Sequence, residues 1–230
     1  MESGEPAHDY AVRSLELLAP VLEDLESALV LGGAALTLPV ALEGRNPGLR
    51  VDVVEIDPVV TDLARRYFAY GKRAHPGIRV VHQDARVFLE EPGRRYDLVY
   101  LDVFDHLLTV PWTMITQEAL GDMAARMEPG GLFMANVLAP TTGPGAPLLR
   151  RMLATVEAVF EEVRVYTAQP DADPSAIRNL LVVAGADPSR LATMEPSGIR
   201  VRGEGPPLTD AWAPVEYLQA KVFLGGLRWR

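Results

Sequence analysis

The chain has 230 residues, 48% of them hydrophobic and 23% charged, which is ordinary for a soluble domain with a sizeable core. Its net charge of −9 argues against a nucleic-acid partner, and no apolar run approaches the roughly 18 residues of a membrane helix. The absence of cysteine excludes disulfides and thiolate metal sites, and the four histidines lack metal-ligand spacing. The acidic, polar start "MESGEPAHDY" is unlike a secretory signal. We therefore expect a cytoplasmic protein without a metal, whose partners are neither nucleic acid nor membrane.

Short apolar runs alternate with helical patterns along the first half of the chain. Helical spacing predicts a helix over His8–Ala19, and "ALVLGG" predicts a short buried strand that ends in glycines. "LTLPVAL" predicts a helix with Pro39 in its first turn. A second strand is predicted over Arg50–Pro58, and Pro58 opens a helix that continues to Tyr70.

The second half continues the alternation and ends in two strands. Strands are predicted over "IRVVHQDA", "YDLVYLD" and "GGLFMANVL", and helices over "ARVFLEE", Thr116–Met127 and "APLLRRMLATVEAVF". No helix-length segment separates "EVRVYTA" from "NLLVVAGA", so these two strands should pair antiparallel. The patterns predict an α/β fold with a doubly wound, mostly parallel seven-stranded sheet, a final antiparallel strand, and "ALVLGG" at the centre.

The whole chain, 1–230, is predicted to be a single domain. It consists of an N-terminal helix within 1–24, a core over 25–186 and a C-terminal extension over 187–230. The extension is rich in Pro and Gly from Glu195 to Thr209, and we find no internal repeat or low-complexity tract.

Glycines and acids follow the first three strands, where an open α/β sheet binds its ligands. The two glycines of "ALVLGG" allow a ligand to approach the backbone closely. Glu55 can accept the hydroxyls of a ribose, and Asp84 can accept from an adenine amino group. Each position also suits a turn or a helix cap, but together they predict a nucleoside site; "GGAALT" does not match the dinucleotide motif. The residues expected to bind a cofactor that contains this nucleoside are Gly32, Gly33, Glu55, Ile56, Asp84, Ala85 and Asp102.

Several segments resemble, in order and spacing, the spermidine synthase-like family of polyamine aminopropyltransferases, which has the class I S-adenosylmethionine-dependent methyltransferase fold (Rossmann-like). The segments are "VLGGAALTLP", "VEIDPVVTDLARRYF", "HQDARVFL", "YDLVYLDVFD", "VPWTMITQEAL" and "PGGLFMANV". Leu208–Leu218 resembles the tail of bacterial members. The resemblance implies S-adenosylmethionine or decarboxylated S-adenosylmethionine as co-substrate, no metal, and a small-molecule amine as acceptor. The sequence does not fix the oligomeric state, and a homodimer is one expectation.

Two acids, Asp102 and Asp105, follow the fourth strand and match the Asp-x-x-Asp of aminopropyltransferases. In that family the first acid helps to deprotonate the attacking amine, and the pair positions the cationic nitrogen. A carboxylate suits this task because it can hold an ammonium, take its proton and direct the lone pair at carbon. The alternatives are that Asp102 caps a loop and that Asp105 is a solvated acid. Since Asp102 ends a buried strand and Asp105 lies further along a loop, turnover should depend more on Asp102.

One departure from the family keeps other functions open. Ala35 stands where members usually carry an Asp that holds the amino group of decarboxylated S-adenosylmethionine. This favours a methyltransferase that uses S-adenosylmethionine on a small molecule, whereas the acid pair favours aminopropyl transfer. A third hypothesis is a non-catalytic nucleoside-binding relative. Weaker candidates, each with a packing or solvent-exposed alternative, are Tyr10 for the amine site, Trp112 for a lid, and Asp210 and Glu216 for covering the acceptor.

Overall fold

The computed structural model describes residues 9–104, 110–185, 188–194, 198–215, 217–218 and 220. The helices are α1 (Asp9–Leu18), α2 (Thr37–Arg45), α3 (Pro58–Tyr67), α4 (Ala85–Glu90), α5 (Gln117–Ala125), α6 (Ala146–Glu157) and α7 (Pro188–Thr193). The strands are β1 (Ser27–Leu31), β2 (Arg50–Val54), β3 (Ile78–Val81), β4 (Tyr96–Leu101), β5 (Met127–Ala139), β6 (Glu162–Thr167) and β7 (Arg178–Gly185). Within these described ranges, no helix is long and apolar enough to cross a membrane.

The seven strands form one sheet in the order β3-β2-β1-β4-β5-β7-β6. Strand β7 runs antiparallel to both of its neighbours, and the other paired strands are parallel. This confirms the predicted mostly parallel sheet with an antiparallel final strand. The prediction that β1 lies at the centre was wrong by one position. Two strands lie on one side of β1 and four, β4, β5, β7 and β6, lie on the other, so β4 is the middle strand.

The strands are apolar on both sides because helices cover both faces of the sheet. Leu29 and Leu31 of β1 pack in a cluster with residues of α4, α5 and α6. Ala28 and Val30, which alternate with them, pack in a second cluster with residues of α1, α2, α3 and α7. This two-sided burial explains the unbroken apolar runs in the sequence.

Several boundaries differ from the predictions, most clearly at α3 and β5, and one short helix was not predicted. Helix α3 ends at Tyr67 rather than Tyr70, since Phe68 is extended (φ −117°, ψ 179°) and a 3₁₀ turn follows. Strand β5 begins at Met127, three residues before the predicted "GGLFMANVL", and its pairing with β4 shifts register between Tyr96 and Leu98. Helix α7 was missed because its six residues are too short to show a helical period.

A buried acid in β2 links this strand to β3 and β4. Asp52 accepts hydrogen bonds from Arg79 at 2.9 and 3.0 Å and from the Tyr96 hydroxyl at 2.7 Å, and its carboxylate lies 2.9 Å from Arg94. Burial alone would raise the pKa of Asp52, but these hydrogen bonds and the two arginine charges outweigh it and hold that pKa below its ordinary value of 3.8. The ionised carboxylate therefore stabilises the fold.

We expect Asp52→Asn to lower the free energy of unfolding at pH 7 by about 1–3 kcal/mol, because charged hydrogen bonds are lost in a buried place. A depressed carboxyl pKa contributes stability above the unfolded pKa and loses it as the pH falls, so the gap between variant and parent should shrink below about pH 4. Urea unfolding across pH measures both effects. Asp62→Asn, at an exposed position on α3, is the control and should change little. A gap that stays constant down to pH 2 would contradict the role of the charge.

Candidate active site

The carboxyl ends of β1, β2 and β4 meet at one edge of the sheet. Beyond Leu31 the chain turns between its two neighbours: the Gly32 amide donates to the Val54 carbonyl at 2.9 Å, and the Asp102 amide donates to the Leu31 carbonyl at 2.8 Å. Glu55 follows Val54 directly. The structure thus brings the glycine turn and two of the predicted acids, Glu55 and Asp102, to neighbouring strand ends, where open α/β sheets bind ligands.

Gly32 is held against the strand that carries the catalytic candidate. Its φ is +95°, and a Cβ atom there would lie 2.4 Å from the Asp102 carbonyl oxygen. Ala34 and Leu36 also adopt left-handed backbone, with φ of 41° and 56°. Such strain in non-glycine residues clusters at ligand sites. Across 32–36 no side chain is polar, and Ala35 brings no charge to this turn.

Glu55 is 8% exposed and fastens the turn. Its Oε2 accepts from the amides of Gly33 and Ala34, both at 2.9 Å, and its Oε1 accepts from the Asp57 amide at 3.0 Å. A Cβ on Gly33 would lie 3.1 Å from the Glu55 Cβ, so the glycine permits this approach. An ionised carboxylate offers about four lone-pair sites, so one remains for a ligand hydroxyl in this conformation.

The other predicted nucleoside contacts lie around the same edge. Asp84 is the N-cap of α4, and its Oδ1 accepts from the amides of Arg86 at 2.8 Å and Val87 at 3.2 Å. In the described chain its Oδ2 accepts no hydrogen bond, and the side chain is exposed. Ile56 is 65% exposed, unusual for so apolar a side chain, and Ala85 is half-buried at the start of α4.

Asp102 accepts a hydrogen bond at each carboxylate oxygen. The Tyr10 hydroxyl of α1 donates to Oδ2 at 3.0 Å, and the Asn136 Nδ2 of β5 donates to Oδ1 at 3.0 Å. The Asn136 Oδ1 in turn accepts from the Asn179 Nδ2 of β7 at 2.9 Å. These two donors favour the charged form of the carboxylate. Tyr10 was proposed from the sequence, but both asparagines were missed. Their signal was a polar residue within the apolar run "FMANVL" and another directly before the apolar run "LLVV".

The phenols of Tyr10 and Tyr100 interact with the Asp102 carboxylate. Burial, followed by the negative charge of Asp102 and the hydrogen bond to it, raises the pKa of Tyr10 far above its ordinary value. Burial, and then the Asp102 charge, likewise raises the pKa of Tyr100. The Ser14 hydroxyl joins the two, donating to the Tyr10 carbonyl and lying 2.8 Å from the Tyr100 hydroxyl. Tyr10 is therefore a neutral donor to Asp102 at any physiological pH.

Four further predicted site residues remain, Asp105, Glu216, Trp112 and Asp210. Asp105 and Glu216 lie outside the described residues. Trp112 is partly exposed at the start of a 3₁₀ turn. Asp210 accepts from Thr116 at 2.6 Å and from Arg86 at 2.9 Å, which fastens the C-terminal segment to α4 and α5. In the described part of the chain, no group of three or more His, Asp and Glu side chains could hold a metal ion.

The sequence of the chain is similar to those of known proteins. The spermine/spermidine synthase domain model matches residues 19–186. The polyamine aminopropyltransferase of Vibrio vulnificus is 33% identical over 140 residues, which cover 60% of this chain and 44% of that protein. The chain spans less than half the length of that protein and of two other curated aminopropyltransferases that it matches.

Solved structures share the fold. A probable spermidine synthase from Corynebacterium glutamicum superposes with a TM-score of 0.71 at 18% identity, covering 99% of this chain and 82% of that one. Human methyltransferase-like protein 13, solved with SAH, superposes with a TM-score of 0.65 at 20% identity, covering 94% and 93%. The class I methyltransferase fold predicted from the motifs is therefore confirmed. Because the family model matches well over half of its residues, this chain belongs to the spermine/spermidine synthase domain family.

Proposed function

We propose that this protein transfers an aminopropyl group from decarboxylated S-adenosylmethionine to a small-molecule amine. The observation that carries the proposal is the placement of Asp102 at the carboxyl end of β4, with a donor on each oxygen and beside the glycine turn. Family membership supports it, since the similar protein of Vibrio vulnificus is named a polyamine aminopropyltransferase. A cytoplasmic location and a homodimer remain predictions.

Asp102 supplies the chemistry that the acceptor needs. A primary amine is mostly protonated at pH 7, and freeing its lone pair costs about 4 kcal/mol. The carboxylate binds the ammonium and accepts one proton from it. The amine nitrogen then forms a bond to the donor carbon next to the sulfonium, the carbon–sulfur bond breaks, and its electron pair stays on sulfur in methylthioadenosine. Holding both reactants in line lowers the barrier further.

The turn and its neighbours would hold the nucleoside of the donor. The free lone pair of Glu55 is suited to a ribose hydroxyl, and the unengaged Oδ2 of Asp84 to the adenine amino group. The exposed Ile56 offers an apolar surface for the flat face of a base. Gly32 and Gly33 let the backbone of the turn pack closely against Asp102 and Glu55, because a Cβ atom on either glycine would meet those residues.

A second candidate function is methyl transfer from S-adenosylmethionine. It is favoured by one observation, the absence of any acidic side chain in the turn at 32–36, where Ala35 replaces the acid usual in the family. Without that acid, the turn gives no electrostatic preference for decarboxylated S-adenosylmethionine, whose cationic amino group has no carboxylate beside it. Asp102, next to Tyr10 and Asn136, supports the amine acceptor and so the first function.

Each sulfonium donor should be incubated separately with the protein and a panel of diamines and polyamines. We expect methylthioadenosine to accumulate only with decarboxylated S-adenosylmethionine and only when an amine is present. S-adenosylhomocysteine formed from S-adenosylmethionine would support the second function. Binding of methylthioadenosine by calorimetry, with no turnover of any pair, would support the non-catalytic alternative.

A further inference from the structure

We propose that Asn179 is a positioning residue that acts through Asn136 to keep Asp102 charged and correctly oriented. Its consequence for turnover rests on the proposed function, whereas its effect on the carboxylate does not. The inference starts from a line of three side chains, Asp102 directly after β4, Asn136 on β5 and Asn179 on β7.

The sheet places these three side chains side by side. Asn136 pairs with Leu181, and Asn179 lies diagonally across from it, opposite Leu138. Alternation in β5 puts Met134 and Asn136 on the face that α1 covers, and in β7 it puts Asn179 and Leu181 there as well. Asn136 is 1% exposed, so its amide must find its partners within the protein.

The direction of the hydrogen bonds follows from the chemistry of an amide, which has a donor side and an acceptor side. Asn179 Nδ2 donates to Asn136 Oδ1, and this turns the Nδ2 of Asn136 toward Asp102. Reversing the Asn136 amide would set two oxygens against each other at 3.0 Å and would leave the Asn179 donor without its acceptor. Asn179 and Asp102 therefore both favour the amide orientation of Asn136 that donates to Asp102.

A donor fixed at Oδ1 favours the carboxylate over the carboxylic acid. At Oδ2 the Tyr10 phenol does the same, because its raised pKa keeps its proton in place. Asp102 is thus prepared from both sides to accept an ammonium before the acceptor arrives. If Asn179 no longer anchors the amide, Asn136 can rotate and withdraw one of the two donors.

Asn179→Leu tests the inference, because leucine keeps the size of the side chain but neither donates nor accepts. The control is Asn46→Leu, since Asn46 also donates through its Nδ2, here to the carbonyls of Leu22 and Leu25, away from the functional edge. Aspartate carboxyls labelled with ¹³C are titrated by NMR, and the Asp102 signal is assigned by its loss in Asp102→Asn. Asn179→Ala serves if the leucine variant does not fold.

We expect the Asp102 carboxyl to titrate about one pH unit higher in the Asn179 variant than in the parent, a tenfold gain in proton affinity. The Asn46 variant should titrate like the parent. In turnover, the acid limb of the kcat/KM profile should move upward by a similar amount, with an unchanged KM for the donor. Identical titration of Asp102 in the parent and in a folded Asn179 variant would overturn the inference. A parent that turns over no donor–amine pair would refute the proposed function, while the NMR comparison would still decide the role of Asn179.

Discussion

Asp102→Asn is expected to slow aminopropyl transfer by roughly 10²–10⁴-fold, the usual cost of losing a general base. The change keeps the shape of the side chain but removes its charge and basicity. It should leave the fold intact, because an asparagine can still accept from Asn136 and the Tyr10 hydroxyl can rotate to accept from its amide. Methylthioadenosine affinity should stay within about twofold of the parent, since the nucleoside contacts we propose lie in the segments that follow β1, β2 and β3.

An aspartate at the opposite end of β4 provides the matched control for Asp102. Asp97 lies at the amino end of β4, where it accepts from the Ser27 amide and hydroxyl, both at 3.1 Å. Asp97→Asn is expected to cost stability but to leave the rate of transfer unchanged in the folded protein. Rates would be compared by methylthioadenosine release, and binding by calorimetry. An Asp102→Asn protein that transfers at the parental rate would refute the assignment of the base.

Glu55→Gln is expected to weaken methylthioadenosine binding about ten- to a hundredfold, which corresponds to the roughly 1.5–3 kcal/mol of a charged hydrogen bond in a buried site. Both carboxylate oxygens accept from backbone amides, so a glutamine NH₂ must face an N–H whichever way the amide is turned. The turn at Gly33 and Ala34 would then be repelled from its present position. The ligand loses an acceptor and also the shape of the glycine turn.

Calorimetric titration with methylthioadenosine measures the loss. Asp57→Asn is the control because Asp57 caps α3 by accepting from the Val59 amide at 2.8 Å, a contact that an asparagine oxygen can keep. Thermal unfolding separates a folded Glu55 variant from one that is merely unstable. If folded Glu55→Gln binds as tightly as the parent, Glu55 takes no part in the nucleoside site.

The sequence predicted the fold well because most β-strands contain a short apolar run and most of the longer helices show an apolar period. It also located Gly32, Glu55 and Asp102 at a common edge, since strand ends follow directly from those runs. Asn136 and Asn179 escaped notice because their meeting depends on the register between β5 and β7. That register is set by packing over the whole strand pair, and no local pattern in the sequence carries it.

The role of Glu55 within the protein was hidden for a related reason. A carboxylate after a strand suggests a ligand contact, but two of its three hydrogen bonds from backbone amides, those of Gly33 and Ala34, depend on the left-handed turn of residues 32–36. Two of the left-handed positions in this turn are Ala34 and Leu36, residue types that give no sign of such a conformation. Asp84 shows the reverse case, since the helix cap that the sequence offered as an alternative is present.

Competition between the two donors tests aminopropyl transfer most directly. The protein is given equal amounts of S-adenosylmethionine labelled in its methyl group and decarboxylated S-adenosylmethionine labelled in its aminopropyl group, together with a diamine. Mass spectrometry then identifies the label on the amine. We predict that the product carries the aminopropyl label and that methylthioadenosine forms in equal amount. A diamine that carries the methyl label, with S-adenosylhomocysteine and no methylthioadenosine, would contradict the proposal.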